Sequence, residues 1–175
     1  VGHDRREREL AAVIDLGDLD LDLLAHAHDD PVPGARVLDL FAGTGALGLE
    51  ALSRGAARVA FVDDGAAARA LLRANVEKAR AMGVTDIWRR DATNLGPNRG
   101  PGYDVVFLDP PYGLRLGEAA LASALSGGWL APGALVVWEE EAHPLPPPGL
   151  AQIDQRRYGA TLVTLLVHSM GTPAS

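Results

Sequence analysis

The residues best suited to chemistry stand together at Asp109-Pro110-Pro111-Tyr112, directly after the apolar run Val105-Val106-Phe107-Leu108. Four apolar residues ending abruptly at a carboxylate and two prolines read as a buried strand that stops at a stiff turn. Proline has a fixed φ and no N–H, so the carbonyls after the strand are held in place and free to accept. Asp109 adds two more acceptor oxygens and Tyr112 a flat ring. Acceptors beside a stacking face suit a planar group carrying an exocyclic amine, such as a nucleobase drawn out of its stack. Taken alone, the same four residues also describe any strand that ends in a proline-rich turn.

A second segment gives the first its context. Asp39-Leu40-Phe41-Ala42-Gly43-Thr44-Gly45-Ala46-Leu47-Gly48 joins an apolar strand to a helical pattern. Gly43 and Gly45 allow positive φ and a close backbone approach to a ligand, and the helix start behind them offers open N–H groups and a partial positive charge. Gly43-x-Gly45-x-x-Gly48 also matches the dinucleotide fingerprint, and Asp63 falls 20 residues after Gly43, where a ribose-binding acid belongs. The glycines therefore leave two adenosyl ligands open, a nicotinamide dinucleotide and a methionine-bearing one. Asp39 favours the second, because a carboxylate is unfavourable beside a pyrophosphate and favourable beside an ammonium group, although the same carboxylate could instead bond N–H groups of the loop. Asp91-Ala92 closes a third strand in the same manner, although an Asp there also suits a turn cap. Asp39, Asp63, Asp91 and Asp109 thus end four successive strands. In an open parallel sheet those ends face one crevice.

The elements that must position these groups alternate. Strands are expected over residues 36–40, 58–62, 84–88, 105–108 and 134–138, with helices over 46–54, 66–82 and 116–125. In the second helix Leu71, Leu72, Val76 and Ala79 face inward and Gly83 closes it. Residues 151–158 and 161–167 face each other across Gly159-Ala160 as a hairpin. This order implies an α/β fold, an open and mostly parallel sheet with helices on both faces. Residues 1–30 read as a divergent acidic segment: 5–12 suits a helix, 18–23 alternates Asp with Leu, and Asp29 to Gly34 forms the boundary of a domain covering 31–175.

Composition narrows the classes. The chain has 175 residues, a net charge of −7 and no cysteine, which excludes disulfides, thiolate metal sites and a Cys nucleophile. His26 and His28 are the only close histidine pair, so no metal site is expected. No apolar run approaches the roughly 20 residues needed to span a bilayer, and the N-terminus does not resemble a signal peptide. A cytoplasmic, monomeric protein without membrane contact is expected. Residues 1–30 carry nine acids and three arginines, leaving 14 acids and 13 bases in the remainder. The body is near neutral and neither argues for RNA nor excludes it. Arg89, Arg90, Arg99, Arg115, Arg156 and Arg157 are candidate phosphate contacts.

Asp39-x-Phe41-x-Gly43-x-Gly45 together with Asp109-Pro110-Pro111-Tyr112 resembles the class I S-adenosylmethionine-dependent methyltransferases that act on exocyclic amines. The longer run from Val37 to Ala56 is similar to the bacterial family that methylates a guanine N2 in small-subunit (16S) ribosomal RNA. The resemblance implies a Rossmann-like, seven-stranded, mostly parallel sheet with its last strand antiparallel. It implies S-adenosylmethionine as cofactor and ribosomal RNA, or a small-subunit assembly particle, as partner. By motif position, Asp39, Phe41, Ala42, Gly43, Thr44 and Gly45 would hold the methionine part, and Asp63, with Asp64 beside it, the ribose. Asp91 and Ala92 would contact the adenine, and Asp109 to Tyr112 would hold the target base, with Asp109 also bordering the cofactor. A DNA adenine or cytosine amino methyltransferase, a dinucleotide-dependent oxidoreductase and a non-catalytic cofactor-binding module remain as alternatives. The family's basic N-terminal arm is not matched by residues 1–30; only Asp4-Arg5-Arg6-Glu7-Arg8-Glu9-Leu10 is faintly similar.

Overall fold

The computed structural model describes residues 30–169. The expectations for residues 5–12 and 18–23 and for the His26/His28 pair lie outside them. In chain order the elements are β1 (Arg36–Leu40), α1 (Ala46–Ser53), β2 (Arg58–Val62), α2 (Ala66–Lys78), β3 (Thr85–Trp88), β4 (Tyr103–Leu108), α3 (Leu116–Ser126), β5 (Leu130–Glu140), β6 (Leu150–Tyr158) and β7 (Thr161–His168). Short 3-10 turns at Met82–Val84 and Ala92–Asn94 flank β3.

All seven strands form one sheet in the order β3-β2-β1-β4-β5-β7-β6. The first five pair in parallel, and β7 runs antiparallel to both β5 and β6. This is the seven-stranded arrangement of the class I methyltransferase fold, as the resemblance implies. The central strands are continuous apolar runs because both of their faces are covered. On one face Val37, Val59, Phe61, Val105, Phe107 and Val137 pack under Leu49 and Ala51 of α1 and Leu72 and Val76 of α2. On the other, Leu38, Leu40, Val106, Leu108 and Trp138 meet Ala120, Leu121 and Ala124 of α3. From β1 the chain winds outward through β2 and β3, then returns to place β4 on β1's other side. The strand order therefore reverses between β1 and β4, and an open α/β sheet binds its ligands outside the strand ends at that point.

Two expectations need correction. The second helix ends at Lys78, not near residue 82: Arg80 takes φ 53, and Ala81 donates back to the Val76 carbonyl at 3.0 Å. The left-handed exit is made by Arg80, and Gly83 lies in the following 3-10 turn. Leu71, expected inward, is exposed, while Arg69 is buried with Leu72 and Val76. Arg69 lies one turn before Leu72 on the same face and donates to the Asp63 carbonyl at 3.2 Å.

Candidate active site

The crevice is built from β1 outward. Asp39 is the last but one residue of β1 and is 2% exposed. Its Oδ2 accepts the Gly48 N–H at 3.1 Å, one of the first-turn donors that a helix leaves open. Burial drives the carboxyl pKa well above its ordinary value. The Gly48 bond opposes that rise, and the charges of Asp109, Asp63 and Glu139 add to it.

The loop after β1 is left-handed at Phe41 (φ 56), Gly43 (φ 56) and Gly45 (φ 81). A non-glycine residue held there stores about 1–3 kcal/mol of strain, a feature that clusters at ligand sites. The turn is locked by Ala42 N–H to the Val62 carbonyl at 3.0 Å and by Gly45 N–H to the Ala42 carbonyl at 2.8 Å. The Asn75 side chain of α2 donates to the Thr44 carbonyl at 2.9 Å. The two glycines of the loop face different surroundings. A Cβ on Gly45 would lie 2.3 Å from buried Leu72, whereas one on Gly43 would meet only the Phe41 carbonyl, at 4.0 Å. Gly45 lets the loop pass close to Leu72 of α2 and Phe61 of β2, and Gly43 has open space beside its backbone.

Asp63 follows the last residue of β2 and braces this loop. Its Oδ2 accepts the Gly43 N–H at 2.9 Å and its Oδ1 the Gly65 N–H at 2.8 Å. A carboxylate has about four lone-pair sites, so further donors can still be taken. Asp64 is exposed beside it. Asp91 adopts the cap that its type allows: Oδ1 accepts both the Thr93 N–H at 2.8 Å and the Thr93 hydroxyl at 2.7 Å, which lowers its pKa. Ala92 behind it is buried.

Across the switch point, Asp109 follows the last residue of β4. It offers exposed surface to the crevice, yet protein encloses it closely enough that burial, followed by the Glu139 charge, raises its pKa to about 6. Pro110 is buried, Pro111 is exposed and the Tyr112 ring is half exposed. Thr161, at the tip of the β6–β7 hairpin, lies near enough to oppose the rise in the Tyr112 pKa. The Tyr112 pKa is raised mainly by burial.

Glu139 is the site residue that the sequence reading missed. Asp39 is in register with Phe107, and Phe107 with Val137. Two residues further along β5, on the same face, stands Glu139, which is 6% exposed. It acts electrostatically on Asp39, Asp109 and Tyr112 alike. The signal in the sequence was the parity of β5, hidden because Glu139-Glu140-Glu141 looks like a solvated acidic run.

The structure thus brings Asp39, the glycine loop, Asp63 and Asp109 to Tyr112 to one crevice, with Asp91 and Ala92 on the same sheet edge after β3. The arginines divide. Arg115 and Arg157 are exposed at the crevice end, whereas Arg99 lies before β4 at the opposite end of the sheet. Arg90 lies over the Trp88 ring at 4.3 Å and donates to the Leu95 carbonyl at 2.8 Å, and so is committed internally. Among the described residues no helix is long and apolar enough to cross a membrane.

The chain is 36% identical over 107 residues to ribosomal RNA small subunit methyltransferase D of Haemophilus influenzae, and 37% identical over 107 residues to the protein of that name from Escherichia coli. These stretches cover 59% and 61% of this chain and 55% and 54% of the relatives, so the chain spans about half the length of the curated relatives it matches. The structure of yhhF from Escherichia coli superposes with a TM-score of 0.75 at 28% identity, covering 96% of this chain and 86% of that one. Residues 22–167, which include β1 to β6, all but the last residue of β7 and the whole crevice, match the family described as conserved hypothetical protein 95, and the chain belongs to that family.

Proposed function

We propose that this chain binds S-adenosylmethionine at the β1/β4 switch point and methylates the exocyclic N2 amine of a guanine in small-subunit ribosomal RNA. One observation carries the reading: Asp39, Asp109 and Glu139 crowd together at the crevice, where the charges of Asp109 and Glu139 add to the raised pKa of Asp39 and that of Glu139 to the raised pKa of Asp109. A ligand placed among them should bring positive charge, as the sulfonium and ammonium groups of S-adenosylmethionine do, whereas the diphosphate of a dinucleotide would be repelled. The open backbone at Gly43 and the left-handed Phe41 leave room for its methionine end, with Asp63 at hand for the ribose and Asp91-Ala92 for the adenine. The names of the relatives support ribosomal RNA as the acceptor, and the resemblance supports N2 of guanine.

When bound by Asp39, the Gly43 loop and Asp63, S-adenosylmethionine would supply an activated methyl group for the amine nitrogen, with a neutral thioether as the leaving group. This chain's residues position the amine. Its two N–H groups donate to the Asp109 carboxylate and the Pro110 carbonyl, turning the lone pair toward the methyl group, and orientation of this kind supplies much of the acceleration. The Tyr112 ring stacks on the base, worth about 1–3 kcal/mol.

Calorimetric titration is expected to give micromolar binding of S-adenosylmethionine and no heat with NAD. Methyl transfer to small-subunit ribosomal RNA should vanish when the target guanosine is replaced by inosine, which lacks the N2 amine. Binding of NAD in place of S-adenosylmethionine refutes the cofactor, and methylation of the inosine RNA refutes the acceptor atom.

A further inference from the structure

We propose that Glu139 is a positioning residue that makes Asp109 the proton acceptor for the substrate amine, the two carboxylates standing side by side at the ends of β5 and β4. This rests on the methyltransferase reading above. Leu108 pairs with Trp138 in the parallel β4–β5 ladder, so the next residue on each side is Asp109 and Glu139. Glu139 is fixed within its strand and enclosed, whereas Asp109 stands one residue past its strand with surface open to the crevice.

Among the described residues, the charged and titratable groups acting on or felt by Asp109 are Asp39 from β1, Glu139 and Glu140 from β5, and Tyr112 from its own loop. All are acids. Burial, and after it the fixed neighbouring charge of Glu139, raises the proton affinity of Asp109 to a pKa of about 6. Such a group is still mostly ionised at neutral pH, yet it is a stronger base than an ordinary carboxylate, the compromise that general-base catalysis favours. The methylated nitrogen carries one proton too many. Its N–H bond breaks as the Asp109 O–H bond forms, the electron pair stays on nitrogen, and Asp109 later yields the proton to water. Glu139, enclosed, acts through Asp109.

The test pairs a carboxyl-carbon NMR titration of the full chain with the pH profile of methylation at saturating S-adenosylmethionine. In Glu139→Gln the Asp109 midpoint is expected to fall by on the order of 1 pH unit. The acid limb of the rate should move down with it, while the plateau rate at pH 8, read at saturating S-adenosylmethionine, drops several-fold. Glu139→Asp, which keeps the charge, should retain the wild-type midpoint and limb. An unmoved Asp109 midpoint overturns the proposal. So does a midpoint that moves while the acid limb stays, or a loss of cofactor affinity with an unchanged profile. Absence of methylation by the unaltered chain refutes the parent reading and this inference with it, whereas identical profiles in an active enzyme refute the inference alone.

Discussion

At the scale of single residues, the crevice shows side chains doing two things at once. Asp63 is expected from the sequence as a ligand for ribose hydroxyls, yet both of its oxygens already hold backbone N–H groups, of Gly43 and Gly65. Removing a partner from a partly buried donor costs about 1–3 kcal/mol. Asp63→Ala should therefore lower the melting temperature of the protein without any ligand, and it should weaken S-adenosylmethionine binding as well. Asp64→Ala, at an exposed position, should change neither. Thermal melts without cofactor and calorimetry with it separate the two roles: an unchanged melt for Asp63→Ala would mean that the brace contributes nothing. Asp39 and Asp109 were legible because each ends an apolar run and stands just before a marked turn. The bracing by Asp63 was not, since no local pattern reveals which N–H of a distant loop a carboxylate will find.

At the scale of elements, legibility depended on how sharply each one is bounded. The strands at Arg36–Leu40 and Arg58–Val62 begin at an arginine after small or turn residues and end at carboxylates or a glycine loop, so their limits could be read off. The end of α2 could not. Lys78-Ala79-Arg80-Ala81-Met82 are all good helix formers, and the exit at Arg80 is imposed by the start of β3, where the Thr85 hydroxyl donates to the Ala81 carbonyl at 2.9 Å. The glycines of the β1–α1 segment show how elements set the site. A Cβ on Gly48 would fall 2.4 Å from Phe61 Cε1 and 2.7 Å from Val59 Cγ1, and Phe61 is fully buried, so the helix itself must move. Gly48→Ala is expected to destabilise the fold by about 1–3 kcal/mol through overpacking. Gly43→Ala has open space around it and meets only left-handed strain, about 1–2 kcal/mol. It should lose more in cofactor affinity than Gly48→Ala does relative to its change in stability. Denaturant midpoints and titrations on both variants decide this, and equal ratios would mean that Gly43 does not face the ligand.

At the scale of the whole molecule, the proposed function requires a chain of net charge −7 to meet a polyanion. The crevice itself is acidic, with Asp39, Asp63, Asp109 and Glu139 gathered at the strand ends, and it suits a cationic cofactor and an amine, not phosphates. If the proposed acceptor is right, RNA must therefore be held at the rim. Topology selects the candidates: α3 begins just after Arg115, and Arg157 on β6 pairs with Leu162, which in turn pairs with Glu140 at the crevice end of β5. Both arginines are exposed. Arg99 has the same charge but precedes β4, at the far end of the sheet. Removing one arginine from a phosphate reduces the slope of log affinity against log salt by about 1. Arg115→Glu with Arg157→Glu should accordingly weaken RNA binding and flatten its salt dependence by about 2, leaving S-adenosylmethionine affinity unchanged. Arg99→Glu, which alters net charge by the same amount per substitution, should leave the slope unchanged. A salt series of binding curves on the three proteins distinguishes a rim site from a general charge effect. If Arg99→Glu flattens the slope as much per charge as the rim pair does, RNA is responding to net charge and the rim does not dock it.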